Sequence, residues 1–262
     1  MENFKFKKEF GQNFIFDGNL LSAIVSDAEI TSDDEVLEIG AGAGTLTKKI
    51  CEKAKKVVSY EIDKNLTEHL MDIQKQNENL TVVMRDALKE DISEIEKHFE
   101  GTYKIVANLP YYITSPMIFK FLEQTNRVKS MTVMVQKEVA ERFSAKENSK
   151  DYGISTIMIN YYAEVKYLRT VGRQMFTPPP NVDSALIKIT PTKKEKAISD
   201  KKFSTVVKTA FSARRKTLSN NLTKLGISKT EIEKLLEEMG KSPSTRAEQL
   251  SIKEFIFLSN KL

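Results

Sequence analysis

Cysteine occurs once in the 262 residues, as Cys51, so neither an internal disulfide nor a multi-cysteine metal site is available. Histidine occurs twice, as His69 and His98, each among charged residues on a predicted helix. Solvated surface side chains are the expectation there, and no metal centre. No apolar run approaches the roughly 20 residues that span a bilayer. The stretch Met1-Glu2-Asn3-Phe4-Lys5 lacks the apolar core of a signal peptide. A soluble cytoplasmic chain without a membrane partner is expected. The glycine-rich residues 40–44 are followed by no Gly-Lys-Ser or Gly-Lys-Thr, which excludes a triphosphate loop.

Charge is present but unevenly placed. The net charge is +5, yet residues 193–262 hold 16 Lys and Arg against 8 Asp and Glu, while residues 1–192 hold 25 against 28. A carboxyl-terminal excess of +8 beside a slightly acidic remainder points to a polyanion partner, most often nucleic acid.

The hydrophobic pattern divides at the same place. Up to residue 192, short β-branched runs alternate with helical spacing: strands at 35–39, 56–60, 80–84, 104–107 and 130–135, helices at 20–28, 45–53, 64–76, 113–121 and 137–143. Ser93 and Glu96 have capping-box spacing for a further short helix. Two more strands, 161–171 and 186–190, flank the stiff Phe176-Thr177-Pro178-Pro179-Pro180 segment. Alternation of this kind predicts an α/β fold on a mostly parallel sheet, with an antiparallel strand at the end. Residues 191–197 form a candidate linker. Beyond it the pattern is helical, at 201–225, 230–239 and 253–260, the last two opened by the capping boxes Ser228/Glu231 and Ser251/Glu254. A domain of residues 1–192 and a small all-α domain of residues 193–262 are expected.

In an open α/β sheet, ligands bind at the carboxyl ends of the strands. Four strands here end in Gly40, Glu61, Asp86 and Asn108. In Glu38-Ile39-Gly40-Ala41-Gly42-Ala43-Gly44 the dinucleotide fingerprint fails, because its third small residue would be Thr45. The spacing instead resembles the S-adenosylmethionine loop of class I methyltransferases, Rossmann-like enzymes. Glu61 is placed to accept from ribose hydroxyls and Asp86 from an adenine amine. Asp63, just before a helical run, is read as a helix cap.

Asn108-Leu109-Pro110-Tyr111 follows a strand and precedes a helix. Pro110 forces Leu109 into an extended conformation and has no N–H. An adenine amine is a poor nucleophile because its lone pair is delocalised into the ring. If the Asn108 oxygen and the Leu109 carbonyl each accept one of its N–H bonds, the nitrogen pyramidalises and presents that lone pair. Tyr111 would stack on one face of the base and Phe176 on the other, at about 1–3 kcal/mol per base.

At Lys8-Glu9-Phe10-Gly11-Gln12-Asn13-Phe14, Glu38–Gly44, Asn108–Pro116, Val135–Arg142, Phe176–Ala185, Arg214–Leu218 and Arg246–Ser251 the chain resembles the KsgA family of small-subunit (16S) ribosomal RNA adenine dimethyltransferases. The resemblance implies dimethylation of N6 on two adjacent adenosines in the 3′-terminal hairpin loop of that RNA. Its setting would be an immature 30S subunit, and the enzyme is expected to be a monomer. S-adenosylmethionine contacts carry over to Asn13, Ile15, Gly40, Gly42, Glu61, Asp86 and Asn108, and the base pocket to Asn108, Leu109, Pro110, Tyr111 and Phe176. Ala41 stands where the family often has Pro, and Ile15 where it often has Leu. Three rivals remain: the related large-subunit dimethyltransferase that confers macrolide resistance, a DNA amino methyltransferase, and a non-catalytic assembly or transcription factor on the same fold.

Lys208, Arg214, Arg215 and Lys216 fall on or near the predicted helix 201–225 and are candidate phosphate contacts. Arg214→Ala combined with Arg215→Ala should weaken RNA binding mainly at moderate salt and flatten the plot of log K against log salt by about one to two. Filter binding over a salt series measures it, and an unchanged slope counts against these cations.

Overall fold

Short runs rich in β-branched residues, and segments whose apolar residues repeat every three to four, become the strands and helices of this chain. The structure, a computed structural model, describes residues 13–192 and 197–262. Lys8–Gln12 of the amino-terminal motif and residues 193–196 of the expected linker lie outside them.

In chain order the elements are β1 (Phe14–Ile15), α1 (Gly18–Asp27), β2 (Glu35–Ile39), α2 (Thr45–Cys51), β3 (Lys56–Tyr60), α3 (Thr67–Lys75) and β4 (Leu80–Val83). There follow α4 (Ile92–Glu96), β5 (Tyr103–Asn108), α5 (Tyr111–Gln124), β6 (Val128–Gln136), α6 (Lys137–Phe143), α7 (Ile154–Tyr162), β7 (Ala163–Val171), β8 (Phe176–Thr177) and β9 (Ser184–Pro191). The carboxyl-terminal helices are α8 (Asp200–Ala210), α9 (Leu218–Leu222), α10 (Lys229–Glu238) and α11 (Ile252–Lys261).

The described chain divides into two compact units. One takes the residues up to Ala140 together with Val165–Pro191; the other takes Glu141–Glu164 and Thr192–Leu262. The first is built on a seven-stranded sheet of order β4-β3-β2-β5-β6-β9-β7. The pairs β2–β3, β3–β4, β2–β5 and β5–β6 are parallel, and β6–β9 is antiparallel. Helices cover both faces of parallel strands, so such strands are mostly apolar on both faces. Accordingly Val36, Leu37, Val57, Val58 and Val106 are fully buried, each contributing about 1.5–3 kcal/mol relative to exposure.

The amino-terminal edge of this sheet is held by charge. Asp34, just before β2, accepts from Lys104 Nζ of β5 at 2.8 Å and from the backbone and hydroxyl of Thr31, both at 2.9 Å. Lys129 of β6 lies 3.3 Å from its other oxygen. Burial alone would raise the Asp34 carboxyl, but the Lys104 and Thr31 hydrogen bonds outweigh it and hold the group well below the usual carboxylate range.

The second unit is helical. Tyr161 stacks on Phe203 with ring centroids 4.1 Å apart, donates to Asp200 at 2.6 Å and accepts from the Ala197 N–H. Tyr152 donates to the Leu250 carbonyl at 2.8 Å. The capping boxes at Ser228 and Ser251 form as expected.

Several sequence expectations need correction. Ile154–Tyr162 is a helix, and β7 begins only at Ala163. The short helix at residue 92 is preceded by Asp91, so Ser93 is inside it and is not its cap. The expected long helix 201–225 is broken. Its first part ends at Ala210, whose carbonyl, with that of Ala213, accepts from the buried Asn221 side chain. Thr217 then caps a new helix by accepting from Asn220 N.

Asp34→Asn should destabilise the fold by roughly 1.5–3 kcal/mol at neutral pH, since it weakens hydrogen bonds to a charged group. A depressed carboxyl contributes fully only above its unfolded pKa. The difference from wild type should therefore shrink as pH falls below about 4. Thermal melts across that range measure it.

Candidate functional site

Parallel pairing sets the level at which each strand ends. Ile39 lies beside Tyr60 and Ala107, and Tyr60 beside Val83. The next residues of β2, β3 and β5 are Gly40, Glu61 and Asn108, so these emerge together at the carboxyl edge. A cavity of about 300 Å³ opens there. It is lined by Asn13, Ile15, Gly40, Gly42, Glu61, Asp86, Asn108, Leu109, Pro110, Tyr111 and Phe176, which brings together every residue expected for the two pockets.

The glycine loop turns because its residues take positive φ, +82° at Gly40 and +53° at Gly42. Gly40 N and Ala41 N both donate to the Tyr60 carbonyl, at 2.8 and 3.2 Å, which ends the β2–β3 ladder. A Cβ on Gly42 would meet the Phe14 ring at 2.9 Å. Glu61, only 5% exposed, accepts from Gly42 N through Oε2 at 2.8 Å and from Ile62 N and Asp63 N through Oε1, each at 2.8 Å. Three N–H groups thus occupy a carboxylate with about four acceptor sites. Asp63 caps the following 3₁₀ turn through Asn65 N.

Asn108 ends β5, and its Nδ2 donates to the Asn13 carbonyl at 2.9 Å. A carbonyl can only accept, so this bond fixes which end of the amide is nitrogen and leaves Oδ1 as the acceptor end. Pro110 stands at the N-cap of α5 (φ −54°, ψ 137°), and the helix starts at Tyr111, two residues before the expected Ile113. The Tyr111 hydroxyl is 2.8 Å from Ser184 Oγ of β9; burial raises its pKa. Phe176 is 3% exposed, belongs to the apolar core and also lines the cavity. It is positioned by the β1–β8 pairing, in which Ile15 lies opposite Phe176.

Beneath the loop, Glu38 is 1% exposed. Its Oε2 accepts from Thr47 Oγ1 at 2.6 Å and Ser59 Oγ at 2.5 Å, and its Oε1 has no partner among the described residues. Burial pushes its pKa up to about 7, against the two hydroxyls and with the Glu61 charge.

Sequence reading missed several supports. His69, expected on the solvated surface, is half-buried, and its Nε2 lies 3.0 Å from the Ala43 carbonyl in the glycine loop. His98 packs edge-on against Tyr60. Thr45 Oγ1 donates to the Ile15 carbonyl at 2.7 Å. Tyr112 lines the cavity while 67% exposed. On the helical unit, Lys208 is exposed on α8, and Arg214, Arg215 and Lys216 are exposed in the turn before α9, not on one helix. Arg214 donates to the Lys150 carbonyl at 3.3 Å. No cluster of metal-ligating side chains occurs among the described residues, and no helix among them is long and apolar enough to cross a membrane.

A mostly parallel sheet ending in a glycine turn, an acid on the next strand and a cavity across its carboxyl edge defines a class I methyltransferase. The family model described as "Ribosomal RNA adenine dimethylase" matches residues 3–262, and the chain belongs to that family. It is an enzyme, a methyltransferase. It is 47% identical over 262 residues to the Ribosomal RNA small subunit methyltransferase A of Caldanaerobacter subterraneus subsp. tengcongensis, covering 98% of this chain and 97% of that one. A dimethyladenosine transferase from Plasmodium falciparum, known as a crystal structure, superposes with a TM-score of 0.79 at 28% identity, over 94% of this chain and 95% of that one. The 23S rRNA methyltransferase ErmE shares the fold, with a TM-score of 0.74 at 24% identity over 95% and 100% of the two chains.

An acid whose pKa is raised on folding loses stability as pH climbs from its unfolded value to its folded one, here from about 4.3 to about 7. Glu38→Gln should remove that decline and leave stability flatter through this window. Denaturant titrations at intervals of pH test it; an unchanged slope would mean Glu38 ionises normally.

Proposed function

We propose that this chain transfers methyl groups from S-adenosylmethionine to N6 of two adjacent adenosines in the 3′-terminal hairpin loop of 16S rRNA, within an immature small subunit. The enzyme acts as a cytoplasmic monomer. The observation that carries this reading is the Asn108 amide: with Nδ2 committed to Asn13, its Oδ1 is left as an oriented acceptor in a cavity that the glycine turn and Leu109 also line.

The residues present suit the donor. The glycine turn lines the cavity with backbone and packs against the Phe14 ring, which a Cβ on Gly42 would strike, and Glu61 keeps one acceptor site on Oε2 beyond its three N–H bonds. Glu61 would take a ribose hydroxyl there, Asp86 the adenine amine, and Asn13, Ile15, Gly40, Gly42 and Asn108 the remaining contacts. Bound S-adenosylmethionine supplies an electrophilic sulfonium methyl group.

Asn108 Oδ1 and the Leu109 carbonyl then accept the two N–H bonds of the target amine and hold it pyramidal. Tyr111, tethered through Ser184, and Phe176, held in the β1–β8 pair, sandwich the base. No strong base is needed before attack, because the proton leaves afterwards. Alignment is the main contribution, worth at most about 7–11 kcal/mol in well-oriented systems. To enter the cavity the base must be splayed from its stack.

The catalytic role is assigned to residues 1–192 and RNA binding to residues 193–262, with Glu141–Glu164 packed among the helices of the latter. Lys208, Arg214, Arg215 and Lys216 contact phosphates and supply affinity more than sequence choice.

Purified small and large subunits, incubated separately with labelled S-adenosylmethionine, test the reading. Label should enter only the small subunit. Asn108→Ala should lower turnover about 10²–10³-fold, the scale for losing one preorganised hydrogen-bond partner at a reacting group. Label in the large subunit alone would favour the macrolide-resistance reading, and none in either a non-catalytic factor.

A further inference from the structure

One lysine ties the two halves of the site together from outside the cavity. Lys120 is on α5, nine residues beyond Tyr111, about 13 Å along the helix axis. It is not among the cavity residues. Its ammonium donates to the carbonyls of Ala87 and Leu88, both at 2.9 Å, and to that of Glu90. An ammonium has three donors, so the three carbonyls use them all.

Those carbonyls belong to the loop after β4 that begins with Asp86. The other side of the loop is closed by Asp86 itself. Its Oδ1 accepts from Leu88 N at 2.9 Å, and its carbonyl accepts from Lys89 N and Glu90 N at 3.1 and 3.0 Å. Asp86, Ala87, Leu88 and Lys89 all line the cavity. Burial lowers the Lys120 pKa, and the nearby charges of Asp86, Asp91 and Glu90 oppose that shift. A half-buried cation is thus spent on backbone carbonyls, with no carboxylate among the described residues paired directly to it. That arrangement costs desolvation and fixes one loop conformation.

We propose that Lys120 is a positioning residue: from the helix that begins at Tyr111, it locks the Asp86–Glu90 loop so that Asp86 is presented to the adenine of the methyl donor. The proposal rests on the reading that this cavity binds S-adenosylmethionine. It makes α5 a shared strut, with the acceptor's Tyr111 at one end and the donor's adenine loop at the other.

Calorimetry with the demethylated product, S-adenosylhomocysteine, reads the effect without turnover. S-inosylhomocysteine, in which a carbonyl replaces the adenine amine, serves as the control. Lys120→Met should weaken S-adenosylhomocysteine about 10-fold, the scale of one or two lost charged hydrogen bonds, and the inosyl ligand much less. Lys120→Arg, which keeps the charge but offers a planar fork to carbonyls arranged for an ammonium, should fall between. If Lys120→Met does not fold, the arginine variant decides by the same comparison. Unchanged affinity for S-adenosylhomocysteine, or equal losses for both ligands, would overturn the proposal. A folded wild type that binds neither ligand would overturn the donor assignment, and this inference with it.

Discussion

Register in the parallel sheet is the constraint on which the site depends. Because Ile39, Tyr60 and Ala107 lie level, one residue further along each strand places a glycine turn, a carboxylate and an amide at one height. A slip of one residue would send every side chain to the opposite face. The buried valines that fix this register therefore also fix the chemistry, although none of them touches the cavity.

The two edges of the sheet serve opposite ends. At the amino edge, Asp34 collects Lys104, Lys129 and Thr31, and both its oxygens are engaged. At the carboxyl edge the acceptors are only partly used. Glu61 keeps one site beyond its three N–H bonds, and Asn108 commits only its nitrogen. Stability is placed where the chain needs no ligand, and acceptor capacity where it does.

What the sequence made legible follows from how local each signal is. The strands 35–39 and 56–60 are short stretches centred on the apolar pairs Val36-Leu37 and Val57-Val58, and their limits coincide with Glu35–Ile39 and Lys56–Tyr60. The glycine spacing and the Asn108–Tyr111 turn are likewise short-range patterns, and both line the cavity. The missed features depend on partners distant in sequence. Helix Ile154–Tyr162 is rich in β-branched and aromatic residues and is sustained by burial of Ile157, Ile159 and Tyr161, with Thr156 donating to the Arg142 carbonyl. Tertiary packing overrides propensity there. The break after Ala210 needs Asn221 to reach back across a turn, and His69 needs Ala43. No periodicity reports such contacts.

The two-residue strand β1, with Asn13 before it, ties several walls of the cavity together. Asn13 offers its carbonyl to Asn108 Nδ2, Phe14 closes over Gly42, and Ile15 receives the Thr45 hydroxyl while pairing with Phe176. Three consecutive residues therefore touch the Asn108 amide, the glycine loop, the start of α2 and Phe176. A shift of this strap would both release the amide that sets Asn108 Oδ1 and move the Phe176 ring. Lys120 makes another link, between α5 and the Asp86 loop. Each tie joins one wall of the cavity to another, so a change at one wall is felt at the other.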